Sequence, residues 1–363
     1  MDFLSFLTIG AETPFMAVDI SVVNDNIRRV QKVSNSHGKK LRPHIKTHKI
    51  PLIANKQINA GASGICVQKV SEAEVMFREG VKNILISNEI VDLRKCDRVS
   101  RLCLSGCEIS IAVDNVKAAE IQSRSAVYYD VHIPFYIDVN VGMNRCGVDP
   151  DQAINLYKKT ISLKNLEFKG FMAYDGQVES RVSRERRDQV RKEIETIENI
   201  LKNMPHQDRS AIEITAGGTP SYEYWLDYPD LTEIQPGTYA YYDLKCRQQG
   251  LCNFQDIAMG VVGQAMSVHG RDRTVLDVGY KGISIDHDQF PEVYDEDGTP
   301  CGVIRMSEEH TVIKPAKESK LGDRFVLVPF HSCTTTDLWD RAWIVKDKSS
   351  PYIATVSARG MRE

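Results

Sequence analysis

The chain has 363 residues, 42% of them apolar and 26% charged, so a core of ordinary size can form without a metal or disulfide staple. Its 46 basic and 49 acidic residues leave a formal net charge of −3, which gives no general pull toward nucleic acid or an anionic membrane. Nine cysteines, an odd number without framework spacing, exclude a small disulfide scaffold and read as reduced intracellular thiols.

Residues 1–12 carry no basic leader before their apolar positions, and no apolar run approaches the length of a membrane span. A cytoplasmic protein is expected. Short β-rich runs then alternate with helix-like segments. The first covers 14–20, and eight more follow at 41–46, 64–68, 83–88, 108–115, 133–140, 168–174, 212–217 and 233–237. Between them, 71–80 reads as a helix opened by a capping box of Ser71 and Glu74 and closed by Gly80. Residues 181–203 read as a long, charged, amphipathic helix.

Strand then helix, repeated eight times, predicts an α/β chain with a TIM-like (β/α)8 barrel; an open doubly wound sheet is the alternative. After Tyr242 the texture changes to strand-like runs at 258–268, 273–277, 311–313, 324–329 and 343–345, separated by Gly, Asp and Pro turns. The expected division is a barrel over 14–250 and a second, C-terminal β-rich domain over 251–363 that also takes in 1–13.

Five clusters could carry chemistry. In 42–49 (RPHIKTHK), Lys46 would sit where the first barrel strand ends, and barrel sites gather at that end. A lysine walled in there could lose its charge and form an imine, although on spacing alone the run reads first as a basic solvated loop. Gly217-Gly218-Thr219 follows one strand, and Gln235-Pro236-Gly237-Thr238-Tyr239 lies at the end of the next. Small residues there expose backbone N–H groups that can cradle a phosphate, at the usual barrel phosphate position. Arg145, in 138–145 (DVNVGMNR), could point into the barrel mouth or simply pair on the surface. Tyr174, ending the sixth strand, could pack beside a flat cofactor or be plain core. In 329–335 (PFHSCTT), His331 and Cys333 lie two apart, so on a strand both would face one way. Imidazole and thiolate together suit zinc, with water or substrate completing the site; the alternative is a packed His beside a buried thiol.

The order of these motifs, with Asp277-Val278-Gly279-Tyr280-Lys281 and Gly322-Asp323 between them, resembles the D-threonine aldolase and D-serine dehydratase family. That family has the alanine-racemase-like fold of fold type III pyridoxal-phosphate (PLP) enzymes, usually as a homodimer. The resemblance implies a PLP Schiff base on Lys46. It implies phosphate contacts from Gly217, Gly218, Thr219, Gly237, Thr238 and Tyr239, with Gln235, Arg145 and Tyr174 beside the cofactor and Tyr174 joining Lys46 in catalysis. It also implies a divalent metal, zinc or manganese, on His331 and Cys333.

In such families a His-x-Cys pair goes with zinc and dehydratases, and a His-x-Asp pair with manganese-type aldolases. The expected activity is therefore a PLP- and metal-dependent lyase that dehydrates a D-3-hydroxy amino acid, with an aldolase as the alternative. An amino-acid racemase or a non-catalytic PLP-binding protein stands further off. The expected partner is a small amino-acid substrate, without nucleic acid or membrane. Asp175 stands where many relatives would carry His. Lys281, His310 and Arg341 are further candidates for the mouth of the site.

Overall fold

The structure is a computed structural model that describes residues 3–205, 209, 211–346 and 350–363. It divides into two compact units. One joins Met1–Arg29, Thr47–Ile53 and Thr238–Gly360; the other joins Val30–Lys46, Ala54–Gly237 and Met361–Glu363.

Strand β1 (Phe15–Asp19) belongs to the first of these units. The second is the barrel. Its strands are β2 (Lys40–Leu41), β3 (Ile65–Val67), β4 (Asn83–Glu89), β5 (Glu108–Val113), β6 (Ile133–Asp138), β7 (Leu166–Ala173), β8 (Glu213–Ala216) and β9 (Glu233–Ile234). All are parallel, in the order β2-β9-β8-β7-β6-β5-β4-β3. An isolated parallel bridge between His44 and Cys66 joins the two ends of this order, helped by Ser63 N–H on Leu41 O (2.8 Å) and Cys66 N–H on Pro43 O (2.8 Å). Each of the eight barrel runs expected from sequence overlaps one of these strands, the run 41–46 sharing only Leu41 with β2.

The barrel is filled as its sequence dictates. Inward positions of five consecutive strands supply Cys66, Leu85, Ala112, Tyr136 and Met172, all buried. Gly170 on β7 is required by close approach, because a Cβ there would lie 1.8 Å from Glu213 O on β8. A polar network is buried beside this layer. Arg42 Nε donates to Glu233 Oε1 (2.8 Å), Ser63 and Thr215 donate to the same carboxylate, and Gln235 donates to Thr215 Oγ1 (2.6 Å). A buried charge persists only when paired and fully hydrogen-bonded, and Glu233 receives three donors.

Two helices show how far the sequence signals reach. Ser183–Lys202 is the long helix expected over 181–203; its buried stripe runs Arg186, Val190, Glu193, Ile197 and Ile200. The helix expected at 71–80 runs Val70–Arg78, and its box differs from Ser71 with Glu74. Glu72 is the residue that turns back, accepting the N–H groups of Gln68 (2.7 Å) and Lys69 (3.1 Å). Glu74 lies past the first turn and pairs instead with Arg98 at 2.8 Å.

The other unit is β-rich. It holds β10 (Met259–His269), β11 (Arg273–Leu276), β12 (Glu292–Tyr294), β13 (Pro300–Met306), β14 (Thr311–Lys314), β15 (Arg324–Val328), β16 (Arg341–Val345) and β17 (Tyr352–Thr355). The sheet order is β11-β14-β13-β12-β15-β10-β1-β16-β17; β11 also pairs with β10, closing those six strands into a ring. Val261, Leu276, Val278, Ile313, Phe325 and Leu327 form its core. β1 sits between β10 and β16, so residues 15–19 find their partners here and not in the barrel. The reason lies in the run itself: every residue of FMAVD is buried, as a strand flanked on both sides requires.

Candidate active site

In the barrel unit, β2 stops early. Pro43 has no N–H to continue the ladder, and Lys46 falls in a single 3-10 turn, Ile45–Thr47, rather than on the strand expected over 41–46. The Lys46 N–H donates to His44 Nδ1 (3.2 Å). His44 Nε2 in turn lies 3.3 Å from Gln68 Oε1 and 3.3 Å from Ser87 Oγ. The turn is thereby fixed from its backbone, and the amine is left to the cavity.

That cavity is lined by Lys46, Tyr174, Arg145, Gln235, Asp138 and Glu89 among others. Lys46 Nζ lies 5.1 Å from the centroid of the Tyr174 ring, and the Arg145 guanidinium carbon 5.3 Å from the same centroid. Two cations thus gather at one aromatic ring. Tyr174 and Lys46 are half-buried, and Arg145 is exposed. Asp138, quoted in its motif but given no role there, is buried on the wall. Its carboxyl is pushed up to about 8, first by burial and then by the charge and hydrogen bond of Glu89, with Arg145 opposing. Glu89 and His44 also line the cavity and drew no assignment from sequence. The strand-end position of Glu89 was the available signal.

The Gly217-Gly218-Thr219 loop leaves β8 with Gly217 at φ +79°, where a Cβ would meet the Trp225 ring at 3.0 Å. Gly218 N–H turns inward, donating to Asp175 Oδ1 (3.0 Å) and Ser221 Oγ (2.8 Å). In this arrangement the Gly218 N–H is held within the loop rather than presented outward. Gln235 reaches the cavity wall. Gly237 ends the barrel unit. Thr238 and Tyr239 open a 3-10 turn, Thr238–Ala240, counted with the other unit, and Tyr239 is fully buried.

In the β-rich unit, His331 and Cys333 are not on a strand. His331 is extended (φ −131°, ψ 115°) and caps a short helix, Ser332–Thr336. Asp243 explains the break: its Oδ2 accepts both the N–H (3.0 Å) and the hydroxyl (3.1 Å) of Ser332, the residue between the pair. The two side chains still come within range of each other, since the Cys333 sulfur is among the groups that raise the His331 imidazole. Thr47 Oγ1 lies 3.3 Å from the same sulfur.

His331 Nδ1 is bonded to Asp286 Oδ2, and Asp286 also accepts from Ser284 (2.9 Å) and Thr334 (3.0 Å). Burial works to lower the His331 pKa, but the bonds to Asp286 and Cys333 prevail and raise it to about 10. Burial works to raise Asp286, yet His331, Ser284 and Thr334 hold it down at about 2. Neither Asp243 nor Asp286 stood out in the sequence, since both lie far from the motif they serve. Among the described residues no group of three or more His, Cys, Asp or Glu side chains gathers as a metal cage. Lys281 is exposed and paired with Glu309 (3.1 Å), and His310 and Arg341 are exposed; none of the three lines the cavity. No described helix is long and apolar enough to cross a membrane.

With this geometry in view, residues 18–245 match the family model for the alanine racemase N-terminal domain, and 258–345 match that for a putative serine dehydratase domain. A D-threonine aldolase from Arthrobacter sp is 33% identical over 357 residues, covering 96% of this chain and 93% of that one. A D-threo-3-hydroxyaspartate dehydratase from Delftia sp. is 26% identical over 357 residues, covering 89% and 91%. The crystal structure of D-threonine aldolase from Filomicrobium marinum superposes with a TM-score of 0.90 at 29% identity, covering 97% of each chain. The barrel, the β-rich unit and the full-length matches agree: this chain belongs to the D-threonine aldolase and D-serine dehydratase family of alanine-racemase-like, PLP-dependent lyases.

Proposed function

We propose that the chain is a PLP- and divalent-metal-dependent lyase that dehydrates a D-3-hydroxy amino acid, D-serine or a 3-hydroxyaspartate-like substrate, to a keto acid and ammonia. The observation that carries the reading is the converging imidazole and thiol of His331 and Cys333, a donor set that suits zinc better than a harder cation. We take zinc to be the metal, with manganese as the alternative, and the enzyme to be a cytoplasmic homodimer.

The residues present fit both groups. A lysine amine, an aromatic ring and a guanidinium meet in one cavity, as a flat anionic cofactor needs. Lys46 would hold PLP covalently, with Tyr174, Arg145 and Gln235 at its ring. Gly217, Gly218, Thr219, Gly237, Thr238 and Tyr239 are the proposed phosphate loops, Gly218 through its position rather than its N–H. When bound, PLP supplies an electron sink for negative charge at the substrate α-carbon. The metal on His331 and Cys333 supplies a Lewis acid for the β-hydroxyl.

The chain's own groups supply the rest. Lys46 Nζ takes the proton from the substrate α-carbon. Arg145 and Lys46 favour an anionic ligand at the Tyr174 ring. Asp286 fixes the rotation of the His331 ring, and Asp243 holds the backbone between the two donors.

A second reading, an aldolase that yields glycine and an aldehyde, is favoured by the 33% identity to a D-threonine aldolase. Product analysis with D-serine, D-threonine and D-threo-3-hydroxyaspartate separates the two, each run with zinc, with manganese and with chelator. Keto acid plus ammonia, lost with chelator, is expected. Glycine plus an aldehyde would replace the dehydratase with the aldolase.

A further inference from the structure

Beneath the Gly217–Thr219 loop lies a second pair of carboxyl groups that the proposed reaction does not use. Asp175 and Glu193 are each 2% exposed. Asp175 Oδ1 accepts the Gly218 N–H (3.0 Å), and its Oδ2 accepts the Trp225 indole N–H (2.8 Å). Trp225 is the ring against which Gly217 packs. One carboxylate thus holds both the backbone of the loop and its aromatic support.

Glu193 comes from the long helix Ser183–Lys202, on the buried stripe it shares with Arg186, Val190, Ile197 and Ile200. Its Oε1 accepts from Gln177 Nε2 (2.8 Å), whereas its Oε2 is buried with no N–H or hydroxyl partner. The Gln177 bond sets Glu193 against the turn that begins at Asp175, and after burial the Asp175 charge is the next influence that raises its carboxyl. Two ionised carboxylates cannot share so buried a place without a cation between them. A proton on Glu193 Oε2 satisfies that atom and makes Glu193 a donor to Asp175. The other named partners of the pair are neutral: Gly218, Ser221, Trp225 and Gln177.

We propose that Asp175 and Glu193 form a one-proton carboxyl pair that positions the Gly217–Thr219 loop for the cofactor phosphate, Glu193 acting as donor and Asp175 as anchor. This rests on the reading of that loop as the phosphate site. Both are positioning residues. Glu193 loses its proton only near pH 10, because burial and then the charge of Asp175 hold it there.

The test uses full-length protein stripped of PLP and titrated with PLP. The readouts are its visible absorbance and the ³¹P spectrum of the bound phosphate, with thermal unfolding as the fold control. Asp175→Asn is expected to weaken PLP binding roughly tenfold or more and to shift the ³¹P resonance. Glu193→Gln keeps a donor N–H toward Asp175 and is expected to bind like the unaltered protein. Glu193→Ala has no donor and is expected to behave like Asp175→Asn. Unchanged affinity and resonance in folded Asp175→Asn would overturn the positioning role while leaving the phosphate site in place. Equal losses in Glu193→Gln and Glu193→Ala would overturn the donor role of Glu193. Failure of the unaltered protein to bind PLP would overturn both this inference and the reading beneath it.

Discussion

The cavity in the barrel and the His331 cluster in the β-rich unit solve opposite electrostatic problems. In the cavity, Lys46 and Arg145 meet at the Tyr174 ring, and neither closes an ion pair among the described residues. Such a wall gains by taking up an anion. The His331 cluster is already satisfied: imidazole, thiol and the Asp286 carboxylate bond one another, and two hydroxyls complete the carboxylate. A metal entering there must displace a proton, whereas an anion entering the cavity displaces only water. The first region is built to recruit, the second to exchange.

The largest effect should come from the recruiting side. Lys46→Ala is expected to abolish the visible absorbance of bound PLP and to lower turnover by roughly 10³-fold or more. A variant that kept the band would move the anchor elsewhere. Next, Cys333→Ala is expected to retain PLP while losing metal and most turnover. Metal content by atomic absorption checks this, and full activity without metal would remove the exchange half of the contrast.

Asp286→Asn should weaken metal binding by roughly 10- to 100-fold, the usual cost of losing a carboxylate behind a ligating histidine. It also tests the exchange directly in metal-free protein. His331 is raised from 6.5 to about 10, so its share of stability is complete below about 6.5 and is lost as pH rises toward 10. Asp286 is lowered from 3.8 to about 2, so its share is present above about 3.8 and is lost as pH falls through 2. The stability difference between Asp286→Asn and the unaltered protein, about 1 kcal/mol, should therefore be widest between pH 4 and 6.5. Thermal unfolding across pH 3–10 measures it, and a difference that grew toward pH 10 would contradict a protonated His331. The smallest effect belongs to neither region. Arg98→Ala removes the two bonds to Glu74 and should cost under about 1 kcal/mol.

How much of this the sequence discloses follows from what each signal depends on. The parallel strands were legible because each is a short apolar run bounded by turn residues. β12 and β17, three and four residues long with half-exposed or exposed positions, have no such contrast. That Lys46, Tyr174, Arg145 and Gln235 would line one cavity was legible because barrel strand ends converge, so chain order maps onto space. The Ser332–Thr336 helix was not, because Asp243, 89 residues earlier, supplies the hydrogen bonds that end the extended stretch. Asp286 escaped for the same reason, lying 45 residues from His331. The bond from the Gly218 N–H to Asp175 was not legible, since it joins residues 43 apart that only the fold brings together.

Strand β1 has a consequence for synthesis. Phe15 pairs with Val262 and Ala17 with Trp343, so this strand leaves the ribosome long before either of the segments that cover its edges. The barrel strands, which pair with near neighbours, can assemble meanwhile. A strand with four apolar residues in a row and two bare edges is an invitation to self-association during that interval. The strand is most exposed before β10 is made, and a ribosome stalled before residue 341 would release a chain whose barrel strands are all present and whose strand β1 still lacks one of its two neighbours.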